Sequence, residues 1–484
     1  MQFTSRKDKL HLPTVSSKVA GSVTMSLLSY AVDAWCRPKP FLAFGHCHGP
    51  RRVYFRRDTA GSGKSSDVSA VNGRNIKLPT ACATTTSAAP KLSEVQMQEL
   101  FRLAQRADSP AAILAIGTSN PPNCMPQDEY ADWYFRVTKS EHLEELKAKM
   151  KRICDKSEIK KRYFHHSEEL ILRHPEFLAG TIPSIDTLDI TANAVPELAA
   201  AAARKAISEW GRPASEITHL VVGTYSGAHM PGADLRLASL LDLNRSVQRT
   251  MLYYHGCASA SSALRVAKEI AENNRGARVL VACAELSLIF FQTPDESRHD
   301  TLVMQALFGD GGGAVIVGSD PETTIERPLF ELVSAAQAVI PKTEHSVCLK
   351  LSKNGMDYHL SNELPMLVAE NMEKCLADAC RPLSLRGDWN DLFWVVHPGG
   401  RAILDAFEEC LNLKQGKLSA SRQVLSEYGN MSGAGTIFVL DEMRRRRHDN
   451  HGDEDLIKKC KWGAMVGLGP GVTVETMLLR AVDA

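Results

Sequence analysis

The amino-acid sequence predicts an α/β protein built from two similar halves, and three observations carry that prediction. From about Ala111 onward, short apolar runs closed by glycine alternate with longer helical patterns, which is the mark of strands layered against helices. The same alternation resumes in the second half of the chain. In addition, Gly256-Cys257-Ala258-Ser259 and Gly429-Asn430-Met431-Ser432 each set glycine, a polar residue, any residue and serine at the opening of a helical stretch, as a duplicated unit would.

Taken in order, the apolar run 112–117 predicts a buried strand, 190–210 a long Ala-rich helix, and 219–223 the strand after it. Residues 258–274 have the spacing of an amphipathic helix, with Gly276 suited to a left-handed cap. A strand is predicted at 278–283, and another at 314–318 behind a glycine-rich turn spanning 309–313. In the second half the pattern predicts a strand at 392–396, helices at 398–411 and 433–447, and a closing strand at 472–479. The halves are placed at 96–325 and 326–484.

Residues 1–95 differ in kind. They are basic and rich in Ser, Thr and Gly, with few acids and no sustained periodicity. A disordered extension and a transit peptide both fit that composition. Gly61-Ser62-Gly63-Lys64-Ser65 imitates the end of a phosphate-binding loop, but Asp58 stands where the motif needs glycine.

The totals exclude several function classes. Across 484 residues, 57 basic side chains face 56 acidic ones, so the charge balance gives no support to a nucleic-acid or membrane-surface role. No run of 18 or more apolar residues predicts a membrane span. The 12 cysteines lack paired Cys-x-x-Cys spacing, which argues against structural zinc and for reduced thiols in a reducing compartment. His46-Cys47-His48 is a metal-ligating triplet in type, but it sits in the extension.

Three residues carry candidate chemistry. Cys257 stands immediately before an amphipathic helix, whose free amides and positive end favour a thiolate; a buried, inert cysteine is the alternative. His397 ends an apolar strand beside Pro398-Gly399-Gly400, at the kind of corner where α/β sites gather. Asn430 opens a helix and reads either as a cap or as a hydrogen-bond donor. Together Cys, His and Asn form a working nucleophile set. Lys149, Arg152 and Lys156 share one helical face, either to grip phosphates or to meet solvent. His255, beside the nucleophile, either perturbs Cys257 or hydrogen-bonds within the core.

At these residues the chain resembles the chalcone synthase/stilbene synthase family of type III polyketide synthases. The matching motifs run from about Ala111 to the C-terminus and include Ile159-Lys160-Lys161-Arg162-Tyr163, Met230-Pro231-Gly232-Ala233-Asp234, Ala306-Leu307-Phe308-Gly309-Asp310-Gly311, His397-Pro398-Gly399-Gly400 and Tyr428-Gly429-Asn430-Met431-Ser432. The resemblance implies a thiolase-like fold in αβαβα layers, a homodimer, and decarboxylative condensation of malonyl-CoA onto a starter acyl-CoA held on Cys257. His397 and Asn430 would be its partners and Phe308 a gatekeeper. It implies coenzyme A phosphates at Lys149, Arg152 and Lys156, a pocket that includes Tyr225, Ser287, Phe290, Leu349, Tyr358 and Ser432, and Met230 reaching into the partner subunit. Coenzyme A thioesters are then the substrates, with no metal or redox cofactor. The cytoplasm is the expected compartment, and plastid import by the extension stays open.

The pocket departs from the family pattern. Tyr225 and Phe290 stand in place of small hydroxyl residues, Leu349 in place of glycine, Tyr358 in place of phenylalanine and Ala258 in place of the phenylalanine after the nucleophile. Added volume there is expected to change chain length and ring type (chalcone, pyrone or resorcinol) more than the condensation step. Poor chalcone formation follows as an expectation, with shorter pyrones or a fatty acyl starter instead. A β-ketoacyl synthase III-like enzyme and a non-catalytic paralogue that binds active synthases are the competing readings.

Overall fold

The computed structural model describes residues 105–482 apart from 179, 181–183, 353–354, 384–386 and 449–458. The 1–95 extension, with His46-Cys47-His48 and Gly61–Ser65, lies outside the described residues.

In chain order the strands are β1 (Ala112–Ser119), β2 (Asn123–Pro126), β3 (Lys161–Phe164), β4 (His219–Thr224), β5 (Gln248–Tyr253), β6 (Arg278–Glu285) and β7 (Gly311–Gly318). They continue with β8 (Phe330–Val339), β9 (Val347–Ser352), β10 (Gly355–Leu360), β11 (Phe393–Val396), β12 (Trp462–Gly469) and β13 (Thr473–Ala481). Nine of them form one sheet in the order β11-β12-β13-β8-β1-β7-β6-β4-β5.

That sheet is two half-sheets joined at a short seam, where Ala112 and Ile113 of β1 pair with Glu331 and Phe330 of β8. On one side a parallel pair, β4 and β6, is followed by antiparallel β7 and β1. On the other, parallel β11 and β12 are followed by antiparallel β13 and β8. The duplication expected from the two Gly-polar-x-Ser motifs is therefore present in the topology.

Side-chain alternation along the strands produces the layers. Val279, Val281 and Cys283 of β6 point into a central cluster with Ala260 and Leu264 of the helix Ser259–Asn273 and Ile437 and Leu440 of the helix Gly433–His448. Leu280, Ala282 and Ala284 point the other way, onto Ala199, Ala203 and Ala206 of the helix Thr187–Trp210. In the second half Val395 and Met465 face the same central helices. Trp394 and Val466 face Val368 and Met372 of the helix Leu364–Cys380 and Phe407 of the helix Arg401–Cys410. The order is helix, sheet, helix, sheet, helix. Strands covered on both faces read as continuous apolar runs, which is why they were visible in the sequence. Truncating fully buried Trp394 to alanine would cost about 3–5 kcal/mol.

Three local expectations need correction. The glycines at 311–313 lie inside β7, not in a turn before it. A Cβ on Gly312 would come within 2.9 Å of the Leu198 carbonyl, and one on Gly313 within 2.7 Å of Ile437, so their smallness serves helix–sheet contact on both faces. The helix predicted from 398 begins at Arg401, because Gly400 holds φ at 148°. The nucleophile helix ends at Asn273, and the left-handed Gly276 lies in the turn beyond it.

Candidate active site

The Cys257 turn is shaped by one glycine. Gly256 has φ 52°, a region open to glycine and strained for other residues, and a Cβ there would press to 2.8 Å from Pro470. The single turn Gly256–Ala258 then leads into the helix Ser259–Asn273 and carries the half-buried Cys257 at its centre. The Cys257 sulfur lies 3.0 Å from Ser432 Oγ, which belongs to the matching turn of the other half. Ser432 holds a positive φ of 52°, unusual for serine, and that backbone strain aims its hydroxyl at the thiol.

Asn430 comes from the same turn. Gly429, at φ 70°, ends the preceding helix, and a Cβ on it would strike Arg162 Cδ at 2.7 Å. The Asn430 backbone forms an isolated parallel bridge with Phe308: its N–H donates to Leu307 O at 2.8 Å, and its carbonyl accepts from Gly309 N at 3.0 Å. Its side-chain amide is oriented at both ends, with Oδ1 accepting from Ser432 N at 2.8 Å and Nδ2 donating to Gly399 O at 3.1 Å. Gly399 lies two residues beyond His397, which directly follows β11 and donates its backbone N–H to Val466 O at 2.9 Å. A Cβ on Gly399 would reach 3.3 Å from His397 Nε2, so glycine leaves that nitrogen edge uncrowded. Cys257, Ser432, Asn430 and His397 are thus tied into one place by turns of both halves.

Electrostatically the site rests uncharged. Burial pushes the Cys257 thiol up to about 11, with the Ser432 hydroxyl pulling it partway back. Burial lowers His397 to about 4, and its Nδ1 has no hydrogen-bond partner among the described residues. Burial thus favours the uncharged form of each group, a thiol at Cys257 and a neutral imidazole at His397.

Four residues that departed from the family pattern, Tyr225, Phe290, Leu349 and Tyr358, meet in one cluster, while Ala258 lies in the Cys257 turn. Tyr225 stacks on Phe290 with ring centroids 5.5 Å apart, and Phe290 meets Tyr358 edge-on at 4.2 Å and Phe308 at 5.1 Å. Leu349 packs against the same group. A charge on Cys257 would bear on both the Tyr225 and Tyr358 phenols, which puts the cluster beside Cys257. The Tyr358 hydroxyl is buried without a partner among the described residues. Ser287 stands apart in its bonding: its N–H and its hydroxyl both donate to Asp310 Oδ1 at 2.6 Å.

Two residues that the sequence reading passed over shape this region. Glu285, at the end of β6, is buried and pushed up to about 8 by desolvation, although its carboxylate accepts from the Thr224 and Ser226 hydroxyls at 3.0 and 2.9 Å. An acid closing an apolar strand was a visible signal. Arg162 is fully buried and donates to the Phe308 carbonyl at 2.6 Å and the Gln305 carbonyl at 2.8 Å, bracing the Phe308–Asn430 bridge.

On the helix Glu144–Lys156, Lys149 and Arg152 line a cleft of about 380 Å³ with Glu145, Leu146, Ala148 and His299. Lys156 lies at the end of that helix and is not part of the lining. Lys147 and Lys151 are held by Asp132 at 2.8 Å each, whereas Lys149 and Arg152 form no ion pair among the described residues. His299 had no local signal, since only tertiary packing brings it to the cleft. Met230 is 96% exposed. His255 Nδ1 lies 3.2 Å from Ser262 Oγ. All nine cysteines among the described residues are free thiols, and no helix among them is long and apolar enough to cross a membrane.

Comparison with known proteins agrees with this geometry. Residues 98–321 match the chalcone and stilbene synthase N-terminal domain, and residues 331–483 match the C-terminal domain of the same family. The chain is 55% identical over 391 residues to bisdemethoxycurcumin synthase of Oryza sativa subsp. japonica, covering 79% of this chain and 95% of that protein. A scaffold of two half-sheets and a Cys–His–Asn corner, matched along both halves, leads to one conclusion: this chain belongs to the chalcone and stilbene synthase family of type III polyketide synthases.

Proposed function

We propose that the enzyme loads an aromatic acyl-CoA starter onto Cys257, extends it with malonyl-CoA, and stops before a long chain can fold into a chalcone. The carrying observation is the Tyr225–Phe290–Tyr358–Phe308 cluster beside Cys257, whose bulk would leave less room for a tetraketide. Its flat faces suit a planar aryl group. The rice relative is a curcuminoid synthase by name, and a curcuminoid-type product is the reading favoured here over ring closure or a fatty acyl starter.

In this reading the Cys257 thiol gives its proton to His397 as sulfur attacks the starter thioester, and coenzyme A leaves with that proton. Malonyl-CoA then loses carbon dioxide, and the negative charge spreads onto its thioester oxygen. The second Nδ2 hydrogen of Asn430 donates to that oxygen, as does His397 once its proton sits on the nitrogen facing the site. The carbanion attacks the acyl group on Cys257, the carbon–sulfur bond breaks, and the departing thiolate takes a proton from solvent, which restores the thiol for another round. With that solvent proton the steps balance on side chains and thioesters, so the proposal invokes no cofactor. Lys149 and Arg152 would hold the coenzyme A phosphates, with Lys156 outside the cleft as a weaker contributor. Phe308, braced by Arg162, would divide that channel from the pocket. Tyr358 would offer the bound chain one hydrogen bond, and Ser287 would act through Asp310 as part of the pocket wall.

A homodimer is proposed on two supports: β5 is the outer strand of the sheet, and Met230 projects with 96% exposure. Free thiols throughout the described residues favour a reducing compartment, and the cytoplasm is proposed. The direct test is incubation of purified enzyme with p-coumaroyl-CoA and malonyl-CoA, read by mass spectrometry. A curcuminoid or its diketide precursor as main product supports the proposal; chalcone as main product overturns it.

A further inference from the structure

The nucleophile turn is moored to the opposite half of the fold by a chain of polar groups that the reaction itself does not use. Glu475, 2% exposed on β13, accepts from Arg265 at both oxygens, 2.9 Å each, and from Gln337 Nε2 at 2.6 Å. It also accepts the Ser262 hydroxyl at 2.8 Å. A serine has one hydroxyl hydrogen, and here it is committed to a carboxylate that also takes a bidentate arginine. Ser262 can therefore only accept from His255, whose Nδ1 lies 3.2 Å away. The proton of neutral His255 is thus assigned to Nδ1.

We propose that His255 is a positioning residue, which fixes the Cys257 turn by donating Nδ1–H into a Ser262–Glu475–Arg265 chain. His255 immediately precedes Gly256, the flexible residue of that turn, and its carbonyl accepts the Ala258 N–H at 3.2 Å. Side chain and backbone of one residue therefore hold both ends of the turn. The helix Ser259–Asn273 carries Ser262 and Arg265, while β8 and β13 of the other half carry Gln337 and Glu475. Ser432, the thiol's partner, belongs to that other half too. The chain sets the register between Cys257 Sγ and Ser432 Oγ, a contact of 3.0 Å that small rotations of the turn would break.

The inference rests on Cys257 being the acyl carrier, so Cys257→Ser is the control. Retained condensation in that variant refutes the acyl-carrier reading itself. With that control inactive, His255→Ala and Ser262→Ala are each predicted to lower kcat on the order of tenfold or more with KM for the starter within about twofold, and to slow Cys257 alkylation by iodoacetamide. His255→Asn, which offers an amide donor at the same position along the side chain, is predicted to recover most of both. The double variant His255→Ala/Ser262→Ala is predicted to lose no more than either single one, since both break one chain. Melting temperatures identify any variant that has simply failed to fold, and the His255→Asn recovery then decides. Unchanged kcat and alkylation in His255→Ala, or additive losses in the double variant, would overturn the proposal.

Discussion

The sulfur of Cys257 and the hydroxyl of Ser432 stand 3.0 Å apart across the junction of the two halves. Desolvation raises the thiol and this hydroxyl lowers it. Ser432→Ala therefore removes the larger of the interactions that oppose desolvation. The alkylation-versus-pH profile of Cys257 is predicted to move to higher pH, with the rate at pH 8 falling about tenfold, the scale of one hydrogen bond to an ionised group. Iodoacetamide kinetics with peptide mapping measure this directly, and an unmoved profile would dismiss the contact.

Glu285 sets a stability trend of its own. Its folded value is raised to about 8 from an ordinary 4.5, so the native state holds a proton that the unfolded state releases. The stability it contributes is fully present below pH 4.5 and is lost as pH rises to about 8. Glu285→Gln keeps an acceptor for Thr224 and Ser226 without the charge. Urea midpoints at pH 5 and pH 9 are predicted to show the variant gaining on the wild type by a few kcal/mol at the higher pH. Equal differences at the two values would refute the buried acid.

His166 has the opposite sign. It packs against Phe164 at 4.9 Å and Phe291 at 5.4 Å, and neither ring nitrogen has a partner among the described residues. Burial lowers it from 6.5 to about 3, so its contribution is present above pH 6.5 and is lost as pH falls towards 3. His166→Phe is predicted to weaken the loss of stability between pH 6.5 and pH 4, as read from denaturant midpoints. His397 titrates in the same direction, so the acid slope is reduced rather than abolished.

The cleft and the pocket separate binding from product choice. Lys149→Ala/Arg152→Ala is predicted to raise KM for acyl-CoA about fivefold or more, with kcat little changed and the effect fading at high salt. Lys156→Ala is predicted to do less, because that side chain does not line the cleft. Steady-state kinetics across salt concentrations check both.

Tyr225→Thr/Phe290→Thr/Leu349→Gly opens the pocket and is predicted to add longer products to the mass spectrum. It would also cost a few kcal/mol of stability through lost aromatic contacts and cavities. An unchanged product profile in a folded triple variant would break the link between pocket volume and chain length. Tyr358→Phe removes the unpartnered hydroxyl at nearly constant volume, and a weakened KM with unchanged melting temperature is its expected signature.

How much of this was legible in the sequence depended on whether the determining contacts were local. The strands at Ala112, His219 and Arg278 announced themselves because helices cover both faces. Gly311–Gly313 misled, since glycine crowding against Leu198 and Ile437 looks like a turn until the helices are in place. The corners that hold Cys257, His397 and Asn430 were legible as local turns. The protonation of Cys257 and His397 was not, because burial comes from the whole fold. His255 was readable only as an unusual neighbour; its chain to Glu475 spans 213 positions between Ser262 and that acid.

The central claim is that Cys257 carries the growing chain in a pocket too full for chalcone. Mass spectrometry of tryptic peptides after incubation with p-coumaroyl-CoA alone tests it most directly. The account predicts the coumaroyl group on the Cys257 peptide and on none of the other cysteine peptides, with the adduct consumed when malonyl-CoA is added and no chalcone accumulating. An unmodified Cys257, an acyl group on another cysteine, or chalcone as the released product would contradict it.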